Sequence, residues 1–520
     1  MRGFGSGVGR ICAVVAASTA VEMAAQVRVA VRETPTVELR LDWLGSDAER
    51  ARFLRWLGRS RPPGATFLAT CRRREGGGKL SGDVTAELYW LKKACGAGCL
   101  WCDLEVETLR RLPEGSIREH GLPPRILLSV HDFRRRPKFT DGRFIRLPRL
   151  REVDALKIAA FAPTLTASLQ LLGLARSPKG LPPAARNPVL VPMGEVAQPA
   201  RILALREGSS LAYAPVADAT APGQVSLHDL KYLYRAHKLT PKTKIFGVIG
   251  DPIGHSLSPL LHNSGFIARK ADAVYLPFLV RNLSDFLKVA RELGIRGFSV
   301  TLPHKLKILK HLAACDPLAA EIGAVNTVVV RRDGSLHGSN TDCLGVLRAL
   351  EKKIRLKGCR VLIFGAGGSA RAAAFGLSRA GAAIAICARR EAAARELARA
   401  VGGEAVPRRA LRTEFFDAVL NATPVGMYPG EAISPLEPPE LHCRIVMDLI
   451  YRPQKTQLLK LAARKGITTV SGVEMFLAQG IAQWETWTKQ RAPEAVMRRA
   501  VLAALRAEES QQEPRRRRPR

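Results

Sequence analysis

Long apolar runs, acidic residues and aromatics are all in short supply in this chain, and each shortage closes off a class of protein. Nowhere do about 18 uncharged apolar residues follow one another, so no segment reads as a membrane-spanning helix. Asp and Glu number 46 against 81 Lys and Arg, a formal charge of +35 that draws anions toward the surface. The basic residues are spread along the whole length, and with aromatics at 6% there is no stacking platform and no nucleic-acid motif. The charge therefore reads as general attraction, suited to anionic small substrates, with no specific nucleic-acid partner. The ten cysteines are scattered, which suits a reducing cytoplasm better than a disulfide framework. Cys95, Cys99 and Cys102 resemble ligands in spacing, but no fourth Cys or His lies close by, so they read as buried thiols and no metal is expected.

What is present is the stuff of folded domains. At 520 residues and 47% hydrophobic content the chain exceeds one ordinary core and divides best into two large parts. Near the start, Arg2 and Arg10 precede an apolar stretch in the manner of a secretory signal, yet Glu22, Gln26 and Arg28 follow at once. The better reading is a strand at 11–15 and a helix at 18–31. Seven further short apolar runs, at 36–41, 65–71, 100–105, 125–130, 155–159, 189–193 and 211–214, alternate with helical patterns. Eight strands and helices in alternation over about 220 residues predict a (β/α)8 barrel. No sequence repeat of fixed period accompanies them.

In such a barrel, chemistry sits at the C-terminal ends of the strands. Glu38, Arg40, Glu75, His131, Lys157, Arg201 and Gln224 fall there or in the loops beyond. Lys157 lies inside Leu156-Lys157-Ile158-Ala159-Ala160, where a buried amine costs desolvation unless it is paired or used. Burial favours the neutral amine, whose lone pair can attack a carbonyl. His131 ends the preceding strand and could move protons. Either alone has an ordinary reading, the histidine as a packing residue and the lysine as an edge charge. On neighbouring strands they become a Schiff-base lysine with an acid/base partner.

The order Glu-x-Arg-Leu-Asp from Glu38, Glu-Gly-Gly from Glu75, His-Asp-Phe from His131, Lys-Ile-Ala from Lys157 and Ala-Pro-Gly-Gln ending at Gln224 resembles type I 3-dehydroquinate dehydratase. The resemblance implies that Lys157 forms an imine with the substrate ketone, that His131 removes the adjacent proton, and that Glu75 orients His131. It assigns Glu38, Arg40, Arg72, Arg201, Thr220 and Gln224 to the substrate. Cys71 stands where the family has its arginine, so a one-residue deletion brings Arg72 into that role, and Thr220 replaces a serine.

After a basic, proline-bearing stretch the second half begins as a new α/β pattern. Arg360 to Arg371 reads Arg-Val-Leu-Ile-Phe-Gly-Ala-Gly-Gly-Ser-Ala-Arg, an apolar strand feeding a glycine turn and a helix, where bare backbone can meet a phosphate. An ordinary strand-to-helix turn would look similar. The next strand, 382–387, ends in Ala388-Arg389-Arg390 where an NAD-preferring fold places an acid, which favours the 2′-phosphate of NADP. Upstream, His-Ser-x-Ser-Pro, Val-Thr-x-Pro-x-Lys, Ala-Val-Asn-Thr and Asn-Thr-Asp are polar clusters that suit a cleft between two α/β domains.

Together with Asn421-Ala422-Thr423-Pro424 these motifs resemble shikimate dehydrogenase. That likeness implies hydride transfer from NADPH to 3-dehydroshikimate, with Lys305 and Asp342 as the proton-handling pair. Ser256, Ser258 and Tyr451 would hold the carboxylate, and Thr301, Asn326, Asp342 and Gln479 the ring hydroxyls. Gly365, Ala366, Gly367, Gly368, Ser369 and Arg389 would take the cofactor, with Thr423 and Gly472 beside the nicotinamide. Ser299 replaces the usual asparagine, and Ala393 stands in place of a second arginine.

The expected layout is a dehydratase barrel at 10–230, a linker at 231–244, a substrate-binding domain at 245–345, a Rossmann domain with C-terminal helices at 346–505, and a basic disordered tail at 506–520. The two likenesses together imply two consecutive steps of the shikimate route to aromatic amino acids, in the cytoplasm. Two rivals remain at this point, a quinate dehydrogenase in the second half and an inactive basic relative that binds nucleic acid. The assembly is left open, a homo-oligomer included.

Overall fold

The structure is a computed structural model that describes residues 7–113, 116–133, 150–176, 186–217, 223–427 and 430–516. It divides into two units: Met1–Thr243 with Phe278–Leu293, and Lys244–Pro277 with Gly294–Arg520.

Unit one is built on eight strands: β1 Ile11–Val15, β2 Thr36–Arg40, β3 Thr66–Thr70, β4 Trp101–Glu105, β5 Arg125–Asp132, β6 Ala155–Phe161, β7 Val189–Met193 and β8 Ala212–Pro215. They form one parallel sheet in the order β7-β6-β5-β4-β3-β2-β1-β8, a nearly closed barrel. The seam between β7 and β8 is stitched by Ser209, whose hydroxyl accepts from Leu190 N at 3.0 Å and donates to Leu211 O at 2.8 Å. The stretch that could have been a signal is thus a fully buried barrel strand. Its helix runs Ala20–Glu33 because the Thr19 hydroxyl accepts from Glu22 N and caps it, which leaves Ser18 outside.

Period-two alternation builds the barrel interior in layers. Cys12, Leu68, Trp101, Leu127, Ala155, Val189 and Leu211 pack as an apolar floor. Two residues further along their strands, Leu68 is followed by Thr70, Trp101 by Asp103, Leu127 by Ser129, Ala155 by Lys157 and Leu211 by Tyr213. A polar layer therefore rests directly on the apolar one, toward the C-terminal ends.

Unit two has two sheets. The first contains β9 Lys244–Gly250, β10 Ala273–Leu279, β11 Gly297–Val300, β12 Ala314–Cys315, β13 Thr327–Val330 and β14 Leu336–Ser339, in the mixed order β10-β9-β11-β13-β14-β12. The second contains β15 Arg360–Phe364, β16 Ala383–Cys387, β17 Glu404–Ala405, β18 Phe416–Asn421, β19 Cys443–Asp448 and β20 Thr468–Val470, all parallel. Its order, β17-β16-β15-β18-β19-β20, reverses direction at β15, the switch point where nucleotides bind in doubly wound sheets.

Of the stretch 506–520, expected to be a disordered tail, residues 506–516 belong to the helix Glu494–Arg516, and 517–520 lie outside the described residues. Alanine, glutamate, glutamine and arginine dominate it, and these are good helix formers whatever their charge.

Candidate active sites

In unit one, Lys157 is 5% exposed and its Nζ donates to Asp103 Oδ2 at 2.8 Å and to Glu38 Oε1 at 3.4 Å. Glu38 also accepts from the Thr70 hydroxyl at 2.8 Å. The Lys157 Nζ lies 4.3 Å from the centre of the Tyr213 ring. Burial works against the charge on Asp103, yet Lys157 and Arg72 together hold its carboxyl below the usual range. Ser129 is directly opposite Lys157 in the β5–β6 register, and His131 is two residues on, so His131 and Lys157 share the inner face. Burial pushes the His131 imidazole well below its ordinary value, Arg72 and Lys157 add repulsion, and Asp103 opposes them. The ring is therefore neutral at pH 7 and can accept a proton.

Other expected residues are distributed unevenly. Arg201 is buried, its Nε donates to Pro192 O at 2.7 Å, and burial lowers its guanidinium to about 10. It has no carboxylate partner among the described residues, as suits a receiver for an anion. Arg40 is clamped onto Asp42 by two bonds of 2.9 and 2.8 Å. Arg72 is held by Asp103 at 3.1 Å and Glu105 at 3.3 Å. Gln224 is half-buried, and Thr220 lies outside the described residues.

Glu75 requires a correction. Its side chain is 73% exposed and accepts from Arg73 at 2.8 Å, and no hydrogen bond joins it to His131. The loop is one residue short of the family pattern, which leaves Arg73 rather than the imidazole as its partner. The buried carboxyl nearby is Glu105, on the inner face of β4 opposite Ser129. Burial raises it to about 7, against the pull of Arg72. Asp103, Glu105 and Tyr213 were not singled out from the sequence. The desolvation rule that marked Lys157 applies equally to the two acids in Trp101-Cys102-Asp103-Leu104-Glu105.

In unit two, Lys305 Nζ donates to Asp342 Oδ2 at 2.6 Å and to Ser369 Oγ at 3.3 Å, which brings the proline turn and the glycine loop together. Asn326 Nδ2 donates to Asp342 Oδ1 at 2.7 Å and faces Gln479 Oε1 at 3.5 Å. Asn340 caps the helix Thr341–Glu351 and so fixes Asp342 in its first turn. Thr301 is half-buried beside Gly250, where an added Cβ would lie 2.6 Å from the threonine methyl. Ser256 Oγ accepts from Ser258 N at 3.2 Å; burial raises the phenols of Tyr451 and Tyr275, with the hydroxyls of Ser256 and Ser258 respectively pulling the other way. A second network was not anticipated: Tyr275 Oη and Ser299 Oγ are 2.6 Å apart, and Ser299 donates to Gln483 Oε1 at 2.8 Å. Gln483 in turn donates to Thr327 Oγ1 at 3.1 Å, next to Asn326. The signal was available, because Gln479 and Gln483 lie four apart on one helix face.

The glycine loop suits a dinucleotide. Gly365 has φ 124° and a Cβ there would meet Ala422 O at 3.1 Å, whereas Gly367 faces open space at the N-terminus of the helix Gly368–Arg379. Ala366 is half-buried within the turn. Thr423 is held by Asn421, which accepts from its hydroxyl at 2.7 Å and its backbone N–H at 3.0 Å. Gly472 opens the helix Gly472–Thr488 so close to Ile450 O that a Cβ would fall at 2.5 Å. Arg389 and Arg390 are exposed at the end of β16 with no carboxylate partner among the described residues.

These features define a barrel with an enclosed amine beside a neutral imidazole, joined to a nucleotide-linked oxidoreductase unit. The family model for type I 3-dehydroquinase matches residues 11–241, that for the shikimate dehydrogenase substrate binding domain 248–328, and that for the shikimate 5'-dehydrogenase C-terminal domain 472–502. A bifunctional 3-dehydroquinate dehydratase/shikimate dehydrogenase of Arabidopsis thaliana, named as chloroplastic, is 33% identical over 88% of this chain and 78% of its own length. A shikimate dehydrogenase (NADP(+)) of Methanosarcina acetivorans is 41% identical over 51% of this chain and 99% of its own. A shikimate 5-dehydrogenase from Thermus thermophilus, crystallised with NADP(H) and shikimate, is 36% identical, covers 50% of this chain and 99% of that one, and has a TM-score of 0.47. The chain belongs to the family of bifunctional 3-dehydroquinate dehydratase/shikimate dehydrogenases. No helix among the described residues is long and apolar enough to cross a membrane.

Proposed function

We propose that Lys157 and His131 dehydrate 3-dehydroquinate to 3-dehydroshikimate, and that Lys305 and Asp342 then serve the NADPH-dependent reduction of that product to shikimate. The observation that carries the first step is the enclosed Lys157 amine on the same inner face as a neutral imidazole. The amine adds to the ring ketone, and the carbinolamine loses water to give an iminium that acts as an electron sink. His131 takes the proton from the adjacent carbon and returns it to the departing hydroxyl, so the ring loses one water. Hydrolysis then frees Lys157. Arg201 is assigned to the substrate carboxylate, and Glu38 and Arg40 to its hydroxyls.

When bound, NADPH supplies the hydride for the second step. Gly365 to Ser369 would hold its pyrophosphate and Arg389 its 2′-phosphate. Lys305 gives its Nζ proton to the ketone oxygen, and Asp342 holds the ammonium in line at 2.6 Å. Ser256, Ser258 and Tyr451 are assigned to the carboxylate, and Thr301, Asn326 and Gln479 to the ring hydroxyls, with Thr423 and Gly472 bordering the nicotinamide. All ten cysteines carry free thiols, which supports a reducing compartment such as the cytoplasm.

Borohydride trapping tests the first assignment: with 3-dehydroquinate it is expected to add substrate mass on the peptide bearing Lys157, and unmodified Lys157 in folded protein would overturn it. For the second, Arg389→Ala is expected to weaken NADPH binding by at least tenfold while leaving NADH binding nearly unchanged. An unchanged NADPH affinity would remove Arg389 from the 2′-phosphate site.

A further inference from the structure

The hydroxyl of Tyr213 is fully enclosed in the barrel and has no hydrogen-bond partner among the described residues. Burying a phenol without a partner costs free energy, and native proteins keep such a group where something else satisfies it. Tyr213 follows the apolar floor by two residues from Leu211, on β8 beside Cys12. Its ring carries the Lys157 Nζ at 4.3 Å. The charged side chains that act on it are Glu38, Asp103 and Arg72.

We infer that Tyr213 is a further substrate-contacting residue of the dehydratase, whose ring seats the reacting amine and whose O–H donates a hydrogen bond to the oxygen on the carbon that the amine attacks. This rests on the Schiff-base reading of Lys157. As the N–C bond forms, the carbonyl oxygen gains charge and becomes the carbinolamine hydroxyl. It then leaves as water with the proton that the neutral His131 ring took from the Lys157 ammonium before the attack, while the attacking nitrogen supplies the proton that made the oxygen a hydroxyl. Tyr213 keeps its own proton throughout, since burial raises its phenol well above the ordinary value. A donor aimed where charge develops lowers the barrier without changing the atom balance of the step.

Tyr213→Phe retains the ring and its volume and removes only the oxygen. Deleting an unpartnered buried hydroxyl is expected to leave the melting temperature unchanged or slightly raised. The rate of borohydride-trappable imine formation per site, in single turnover with saturating 3-dehydroquinate, is expected to fall at least tenfold. KM should stay within about threefold, and the final trapped amplitude, which counts intact sites, should be unchanged. Tyr213→Leu removes the ring as well and is expected to lower the rate further. A wild-type trapping rate in Tyr213→Phe would overturn the inference while leaving Lys157 as the imine lysine. A lower melting temperature with an unchanged rate per site would also overturn it, by making the hydroxyl structural. Failure of the wild-type protein to trap at all would instead remove the Schiff-base reading beneath it.

Discussion

His262 shows how burial, outweighing the opposing pull of Gln483, can give one residue a pH dependence. It is fully buried in unit two and stacked on Tyr275 at 4.3 Å. Burial lowers its imidazole to about 3. The unfolded chain takes up that proton near 6.5, so the stabilising neutral form counts in full above pH 6.5 and is lost as pH falls toward 3. The difference is on the order of 5 kcal/mol. His262→Phe keeps the stack, so its unfolding free energy in urea is expected to fall less steeply than that of the wild type between pH 6.5 and about 4. Parallel slopes would refute this. Glu75 makes the opposite case: because it faces solvent, Glu75→Ala is expected to change the dehydration rate by no more than about twofold, and a loss of about 100-fold would return it to the imidazole. Lys157, Lys305 and Asp342 were legible as residues because a charge in an apolar strand or a tight polar motif stands out. The turning of Glu75 was not, since its Glu-Gly-Gly text is intact and only the shortened approach redirects it. Tyr275, Ser299 and Gln483 were also missed, because their bonds join residues up to 184 positions apart.

Elements explain why these side chains hold their places. The turn after β15 works because Gly365 sits at φ 124° against Ala422 O. Gly365→Ala is expected to weaken NADPH binding by at least tenfold, read by fluorescence titration, with the dehydratase rate unaffected; equal affinity would show that the loop yields. In unit one, the helix Leu165–Gly173 follows the strand that carries Lys157. Its first N–H groups donate to Asp285, from Leu165 N at 2.9 Å and Thr166 N at 3.3 Å, while the Thr164 hydroxyl caps Ala167. Asp285 belongs to the segment Phe278–Leu293, which packs with the barrel although the chain reaches it only after β9 and β10. Asp285→Ala is expected to cost unit one about 1 kcal/mol in chemical denaturation, and an unchanged midpoint would count against the cap. All eight barrel strands could be located from their apolar runs to within two residues at either end. The Asp285 contact could not, since nothing local in Leu283–Leu293 marks it as a partner for the barrel.

On the scale of the whole molecule, two sites of different chemistry lie in two units of one chain, and the first makes what the second consumes. The barrel and the doubly wound sheet were legible because strand and helix signals alternate so regularly. Residues 506–516 were not, because their arginine content suggests disorder where helix propensity prevails. The central claim is tested most directly by absorbance at the NADPH band after adding 3-dehydroquinate to the wild type and to Lys157→Ala. The wild type should oxidise NADPH with 3-dehydroquinate, and the variant should do so only when given 3-dehydroshikimate. NADPH oxidation by the variant with 3-dehydroquinate at the wild-type rate, or none by the wild type, would contradict the account.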